Sequence, residues 1–375
     1  MRYWSYLEEY KNYRSKILKS VDKTLKSGNL FFGKELLKFE KNFIKANKLR
    51  YGVAVGSGTD ALLLALRALN IGDNRNDEVI TVSNTAIPTI SAIISAGAKP
   101  VFVDIGEDYL IDPEKIQKKI NINTKAIIPV HLYGQPCDMK KILKIAKRNK
   151  IRVIEDCAQA QGAKFNKRYV GTLGDFGCFS FYPTKILGAY GDGGFITTND
   201  ENLFDRMQRI RSLGMEKKKM SSSHWNGKYY AVEHGTNSRL DEVHAAILLK
   251  KLPYLDKWID RRRQIAERYN NELKDTDLEL PEESPNNKHA YHVYVVAHKH
   301  RDQIMKSLSE INIQLNILYP WPIHIMDAYK HFVCSSCTCL KKTEEDAKKI
   351  FSLPMYPTLT DEEQGIVIKE IKNLI

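Results

Sequence analysis

From residue 51 onward, short β-branched runs alternate with segments whose apolar positions recur at helical spacing. The runs at 51–55, 79–82, 100–103, 126–130, 152–155, 178–181 and 195–198 read as strands. Between the first two, Leu62, Leu63, Leu66 and Leu69 mark a helix, and the segment 139–148 has the same character. Such alternation predicts a mainly parallel sheet of about seven strands, covered by helices. Beyond Thr198 the pattern lengthens into helices at 240–252 and 258–273. The loop Pro281-Glu282-Glu283-Ser284-Pro285-Asn286-Asn287 then leads to a strand at 292–296, a helix near 301–310, a strand near 313–318 and a last helix from Asp361. The expected organisation is α/β, with a large domain over 1–250 and a smaller C-terminal α/β domain over 251–375. In front of the first strand, Leu36, Leu37, Phe39, Phe43 and Ile44 form one apolar helix face, whose simplest role is packing.

Composition narrows the class. A chain of 375 residues with 43% apolar and 27% charged residues is long enough for about two domains and too apolar to be disordered. Its net charge of +13 is spread over helix faces such as Lys140, Lys141, Lys144 and Lys147, with no basic stripe interleaved with aromatics. That excludes a nucleic-acid groove and favours a small anionic substrate. The start, Met1-Arg2-Tyr3-Trp4-Ser5-Tyr6, lacks a signal's apolar core, and no apolar run approaches the ~20 residues of a membrane span. The expectation is a cytoplasmic protein with no membrane partner, so its six cysteines read as reduced thiols. Cys334, Cys337 and Cys339, with His324 or His331, suggest a single metal knuckle, but a structural zinc site usually has two paired elements. A thiol-bearing loop, with no metal, is the expectation.

Three motifs carry chemistry. Gly56-Ser57-Gly58-Thr59-Asp60 follows a strand and opens a helix, so backbone N–H groups, the helix N-terminus and the Ser57 and Thr59 hydroxyls can converge on a phosphate. A plain capped helix start is the alternative for that motif alone. No Lys-Ser/Thr pair follows as in a nucleotide P-loop, and the Rossmann glycine spacing is absent. Asp156 closes the strand run of 152–155, at the sheet edge where open α/β folds bind ligands. Lys185 follows Phe181-Tyr182-Pro183-Thr184 and precedes Gly188, Gly191, Gly193 and Gly194, glycines that would let it approach a flat cofactor. Tyr182 and Lys185 are three apart beside a proline, which rules out the dehydrogenase Tyr-Lys helix pair. A lysine free to form an imine and a carboxylate able to keep a pyridine nitrogen protonated point together to pyridoxal phosphate (PLP).

On these motifs, and on Asn237-Ser238-Arg239-Leu240-Asp241-Glu242, Pro322-Ile323-His324 and Leu353-Pro354-Met355-Tyr356-Pro357, nearly the whole chain resembles the sugar-nucleotide aminotransferases of the DegT/DnrJ/StrS family. The resemblance implies fold-type I, the aspartate aminotransferase-like PLP-dependent transferase fold. It implies that Lys185 forms the Schiff base, Asp156 pairs with the ring nitrogen and Gln159 lies against the ring, while Gly58, Thr59 and Ser180 hold the phosphate. It further implies that Asn237 reaches the phosphate of a neighbouring subunit's cofactor, hence a homodimer with shared active sites. A dehydratase branch has histidine where Lys185 stands, so amino transfer is expected, with L-glutamate as donor. Ser83–Ser91, His131–Pro136 and Gly235–Arg239 look most like enzymes that aminate C-3 of dTDP-linked 3-keto-6-deoxyhexoses for deoxyamino sugar biosynthesis. Two departures stand out. Ala86 replaces an aromatic that stacks on the cofactor in many relatives, and Leu318-Tyr319-Pro320 replaces a His-Tyr-Pro, which leaves C-4 amination of a UDP- or dTDP-4-keto sugar open. Tyr319 and His324 are candidate sugar contacts, and Lys217 and Lys218, with Lys219, are candidates to close over the diphosphate. A non-catalytic PLP-binding regulatory protein is the rival from another class; Lys185 and Asp156, both present, argue against it.

Overall fold

The structure, a computed structural model, describes residues 1–215, 229–333 and 340–375. A seven-stranded sheet forms its centre: β1 (Tyr51–Val55), β2 (Glu78–Val82), β3 (Lys99–Val103), β4 (Thr124–Ile127), β5 (Arg152–Asp156), β8 (Phe176–Ser180) and β9 (Gly194–Thr198). The spatial order is β1-β9-β8-β5-β4-β2-β3, and β9 alone runs antiparallel to its neighbours. All seven strands coincide with runs expected from the sequence, within a few residues at their ends. The short ribbon β6 (Lys164–Phe165) and β7 (Arg168–Tyr169) lies outside the sheet.

Helices cover both faces, which is why the strands are apolar on both sides. On one face α3 (Gly58–Ala68), α4 (Ile87–Ala96) and α7 (Glu201–Ile210) bury Leu62, Leu66, Ile90, Ile93 and Met207 against Val53, Val79, Ile154 and Ile196. On the other, α2 (Lys34–Ala46) sets Phe39 and Phe43 edge-on against Phe179, Phe181 and Phe195. Beside it α6 (Met139–Asn149) and the single turn α5 (Pro113–Ile116) cover β2, β4 and β5. Helix α1 (Leu7–Lys26), to which the sequence pattern assigned no element, lies against α8 (Glu242–Lys251).

A second, smaller sheet pairs β10 (Tyr294–Ala297) with β11 (Ile350–Leu353), antiparallel. Its core includes Ile265, Tyr269 and Leu273 of α9 (Leu255–Leu273), Ile304 and Leu308 of α10 (Arg301–Glu310), and Val367 and Ile371 of α12 (Asp361–Leu374). Helix α11 (Lys341–Ala347) precedes β11. The strand expected near 313–318 does not form. Its alternating Ile313, Leu315 and Ile317 pack on this core, but the segment meets β11 only through the bridge Asn316–Ser352. Among the described residues no helix is long and apolar enough to cross a membrane.

Candidate active site

The parallel strands β1, β2, β4, β5 and β8 end on one edge, and the chain places its candidate chemistry there. Ser57 is the N-cap of α3, its Oγ accepting from the Asp60 N–H at 3.0 Å. The expected phosphate-donor role of this hydroxyl therefore shares it with helix capping. The N–H groups of Gly58 and Thr59, at the first turn, have no intrahelical acceptor. A Cβ added at Gly58 would stand 2.8 Å from the Ser180 Cβ, so the helix start and the end of β8 touch and form a cradle that only glycine permits. Ser180 Oγ accepts from the Tyr182 N–H at 3.2 Å. Ser238, next to Asn237, backs the cradle: its Oγ accepts from the Gly56 N–H at 2.9 Å and donates to Asp60 Oδ2 at 2.7 Å. Asn237 itself is exposed.

Asp156, the last residue of β5, is buried. Thr89 Oγ1 of α4 donates to its Oδ2 at 2.9 Å, and the Ala158 N–H donates to Oδ1 at 3.1 Å. Since the Thr89 proton goes to Asp156, the Thr85 hydroxyl 3.0 Å away donates to Thr89 in turn. Burial pushes the Asp156 carboxyl up, while these hydrogen bonds and the charge of Lys185 oppose the shift. Lys185 has the reciprocal environment. Burial of its amine lowers the pKa to about 8, against a counteracting pull from Asp156.

That value sets a pH dependence. Only the neutral amine attacks an aldehyde, so capture of PLP by the cofactor-free protein should accelerate about tenfold per pH unit up to about 8 and level off above it. An unperturbed lysine would keep accelerating toward ~10.4. Stopped-flow absorbance between pH 6 and 10 distinguishes the two profiles.

Gln159 is held at both ends of its amide. Its Oε1 accepts from the Tyr133 N–H at 2.7 Å and its Nε2 donates to the Tyr319 hydroxyl at 2.6 Å. Burial raises the Tyr319 phenol, and the negative charge of Asp156 adds to the rise. Tyr319 therefore stays a neutral hydroxyl within the electrostatic reach of Asp156.

The structure thus draws Ser57, Gly58, Thr59 and Ser180 into one cradle, and Asp156, Gln159, Lys185 and Tyr319 beside it. His324 is near but engaged: Nδ1 lies 2.7 Å from Ser83 Oγ and Nε2 lies 3.1 Å from Glu344 Oε1, so neither ring nitrogen is free for a sugar hydroxyl. Lys217, Lys218, Lys219 and Cys334, Cys337 and Cys339 lie outside the described residues. The glycines after Lys185 serve the backbone rather than open space: Cβ atoms at Gly188, Gly191 and Gly194 would meet the Pro183 carbonyl, the His244 ring and the Ser57 carbonyl at 2.5 Å or less. Thr89 was missed from sequence, although Pro88 just ahead of it is a helix-start signal.

Behind Asp156, Glu155 is fully buried and accepts from the N–H groups of Gly171, Leu173 and Gly174 at 2.9, 2.7 and 2.8 Å. His131 Nδ1 accepts from the Cys137 N–H at 3.0 Å, which puts the ring proton on Nε2, 3.1 Å from Glu155 Oε2. His131, Glu155 and Cys157 are close enough to resemble a metal cluster, but these hydrogen bonds already engage the imidazole and the carboxylate. Burial raises the thiols of Cys137, Cys157 and Cys178, which makes them inert packing groups.

Residues 11–372 match the model of the DegT/DnrJ/EryC1/StrS aminotransferase family. The chain belongs to this family. Among curated relatives it is 45% identical to a dTDP-3-amino-3,4,6-trideoxy-alpha-D-glucose transaminase of Micromonospora megalomicea subsp. nigra, over 99% of this chain and 98% of the relative. It is 43% identical to a dTDP-3-amino-3,6-dideoxy-alpha-D-galactopyranose transaminase of Aneurinibacillus thermoaerophilus, over 96% and 95%. Among solved structures it superposes on S. venezuelae DesV, crystallised in complex with a ketimine intermediate, with a TM-score of 0.92 and 35% identity over 99% of this chain and 97% of that one. As a family member the chain is an aminotransferase, with the fold-type I architecture expected from its motifs.

Proposed function

We propose that the chain uses PLP to transfer the amino group of L-glutamate to C-3 of a dTDP-linked 3-keto-6-deoxyhexose. The observation that carries this reading is the pairing of a depressed lysine amine with a buried strand-end carboxylate, next to a glycine cradle, in a chain whose relatives are named as dTDP-3-amino-sugar transaminases. When bound, PLP supplies an electron-withdrawing ring that eases proton removal at the carbon bearing nitrogen. The protein's part is assigned residue by residue. Gly58, Thr59 and Ser180 bind the phosphate through N–H groups and a hydroxyl at a positive helix end. Asp156, oriented by Thr89, would face the ring nitrogen, where its carboxylate would favour the protonated form. Gln159, fixed by Tyr133 and Tyr319, would lie against the ring. Lys185 Nζ would hold the cofactor and is the amine suited to move the substrate proton, since its pKa is lowered toward working pH.

Asn237, exposed on one chain, is assigned to the phosphate site of a second copy, so the working unit is a homodimer with shared sites. Tyr319 remains the sugar-side candidate, and the reaction is assigned to the cytoplasm. The domains are assigned as 1–250 and 251–375, with α9 packing on both: Trp258 and Ile259 join the phenylalanine cluster, and Ile265 and Tyr269 join the core of the small sheet.

The test has two stages. Mixing the PLP-loaded protein with L-glutamate should abolish the imine absorbance and release 2-oxoglutarate; an unchanged spectrum would indicate a regulatory protein instead. Turnover of 3-keto and 4-keto dTDP and UDP sugars, with the aminated carbon located by NMR, should then yield the C-3 amine of a dTDP sugar. A C-4 amine would overturn the regiochemistry.

A further inference from the structure

Lys251, the last residue of α8, is 2% exposed, an unusual setting for an ammonium group. Its Nζ donates to the Gly188 carbonyl at 2.7 Å and pairs with Glu9 Oε1 of α1 at 2.8 Å. The same nitrogen lies 4.0 Å from the centroid of the Tyr190 ring and 5.7 Å from that of Trp258. The Tyr190 hydroxyl donates to the same Glu9 oxygen at 2.9 Å. Tyr190 has φ 59°, a conformation that a non-glycine residue keeps only when its surroundings hold it.

These contacts fall on the turn that carries Lys185. Gly188 folds back onto the Pro183 carbonyl, the Lys185 N–H donates to the Tyr182 carbonyl at 2.9 Å, and the Ala189 N–H donates to the Phe181 carbonyl at 2.8 Å. The segment is a closed loop with Lys185 inside and Gly188 at its exit. Anchoring the Gly188 carbonyl from outside fixes the exit, and with it the point from which the Lys185 side chain projects. A lone buried charge in this position is strongly unfavourable, so the latch needs Lys251 and Glu9 together.

We propose that Lys251 is a positioning residue for Lys185, with Glu9 of the N-terminal helix as its counter-ion and Tyr190 as the clamp between them. The helix α1 is thereby part of the machinery that presents the reactive amine. This rests on the assignment of Lys185 as the PLP-binding lysine.

The experiment compares wild type, K251R, K251M and the charge-neutral double variant E9Q/K251M, which avoids a lone buried carboxylate. Hydrogen exchange on the cofactor-free forms of these four proteins reports the loop independently of its chemistry. In the double variant the peptide spanning 181–190 should exchange about tenfold faster, with β5 unchanged, and K251R should restore protection. In the PLP-loaded proteins, the pH midpoint of the imine absorbance should move in E9Q/K251M and return toward wild type in K251R. Unaltered exchange at 181–190, or equal acceleration throughout the sheet, would overturn the proposal, as would an unmoved midpoint. Borohydride trapping of the wild type separates the two failures: a label on another lysine refutes the Lys185 assignment, whereas a label on Lys185 with an indifferent loop refutes the latch alone.

Discussion

Lys185→Ala should abolish turnover while leaving a folded protein that still binds PLP. Loss of positioned proton transfer alone is worth roughly 10²–10⁴ in rate, and loss of the covalent link adds to it. The amine is desolvated, but Lys185 as a residue keeps partial exposure and is not part of the core cluster around Phe179 and Phe181, so its truncation should leave the fold intact. The cradle at Gly58 and Ser180 and the carboxylate of Asp156 remain, so cofactor should still associate without covalent attachment. Release of 2-oxoglutarate, borohydride labelling and equilibrium dialysis with PLP measure the three parts. Turnover within tenfold of wild type would refute the assignment of Lys185.

The largest loss of stability is expected at the residue before Asp156. Glu155→Ala removes the acceptor for three backbone N–H groups and the partner of the His131 ring, all in a region closed to water. Breaking a buried polar network by removing one member typically costs about 3–5 kcal/mol, since the groups left behind are desolvated and unpaired. With unfolding entropy of about 2.1 cal/mol/K per residue over a cooperative chain of this length, that corresponds to a drop in Tm of roughly 4–6 °C. Glu155→Gln should cost less, as its amide oxygen retains part of the acceptance. Thermal melts of the cofactor-free proteins, with circular dichroism to verify the fold, test both. A Glu155→Ala melt indistinguishable from wild type would mean that water reaches the 171–174 turn.

What could be read from the sequence were the features whose signal is local. The seven strands are apolar runs bounded by helices of clear periodicity, and Gly58, Asp156 and Lys185 are recognisable from the turns that present them. Helix α1 escaped because its exposed face dominates: of twenty residues only Ile17, Ser20 and Thr24 are buried, and two of those are polar. The segment 313–318 misled in the opposite direction, since its alternation is genuine and packs on the small core, but only Asn316 bridges to β11. Residues whose roles depend on distant partners gave no signal at all. Thr89 lies 67 positions from Asp156, and Glu9 and Lys251 look like solvated surface charges until the chain brings them together. For His324, a candidate sugar contact, nothing local reveals that Ser83 and Glu344 engage its ring.

Along β5 the adjacent acids Glu155 and Asp156 face opposite sides of the sheet, one toward the 171–174 turn and one toward α4. A slip of this strand by a single position would exchange their surroundings, delivering the wrong acid to each side. The many ligands of Glu155 act as a ratchet against that slip, so any attempt to transplant this reaction centre onto another scaffold must carry the Glu-Asp dipeptide as an indivisible unit.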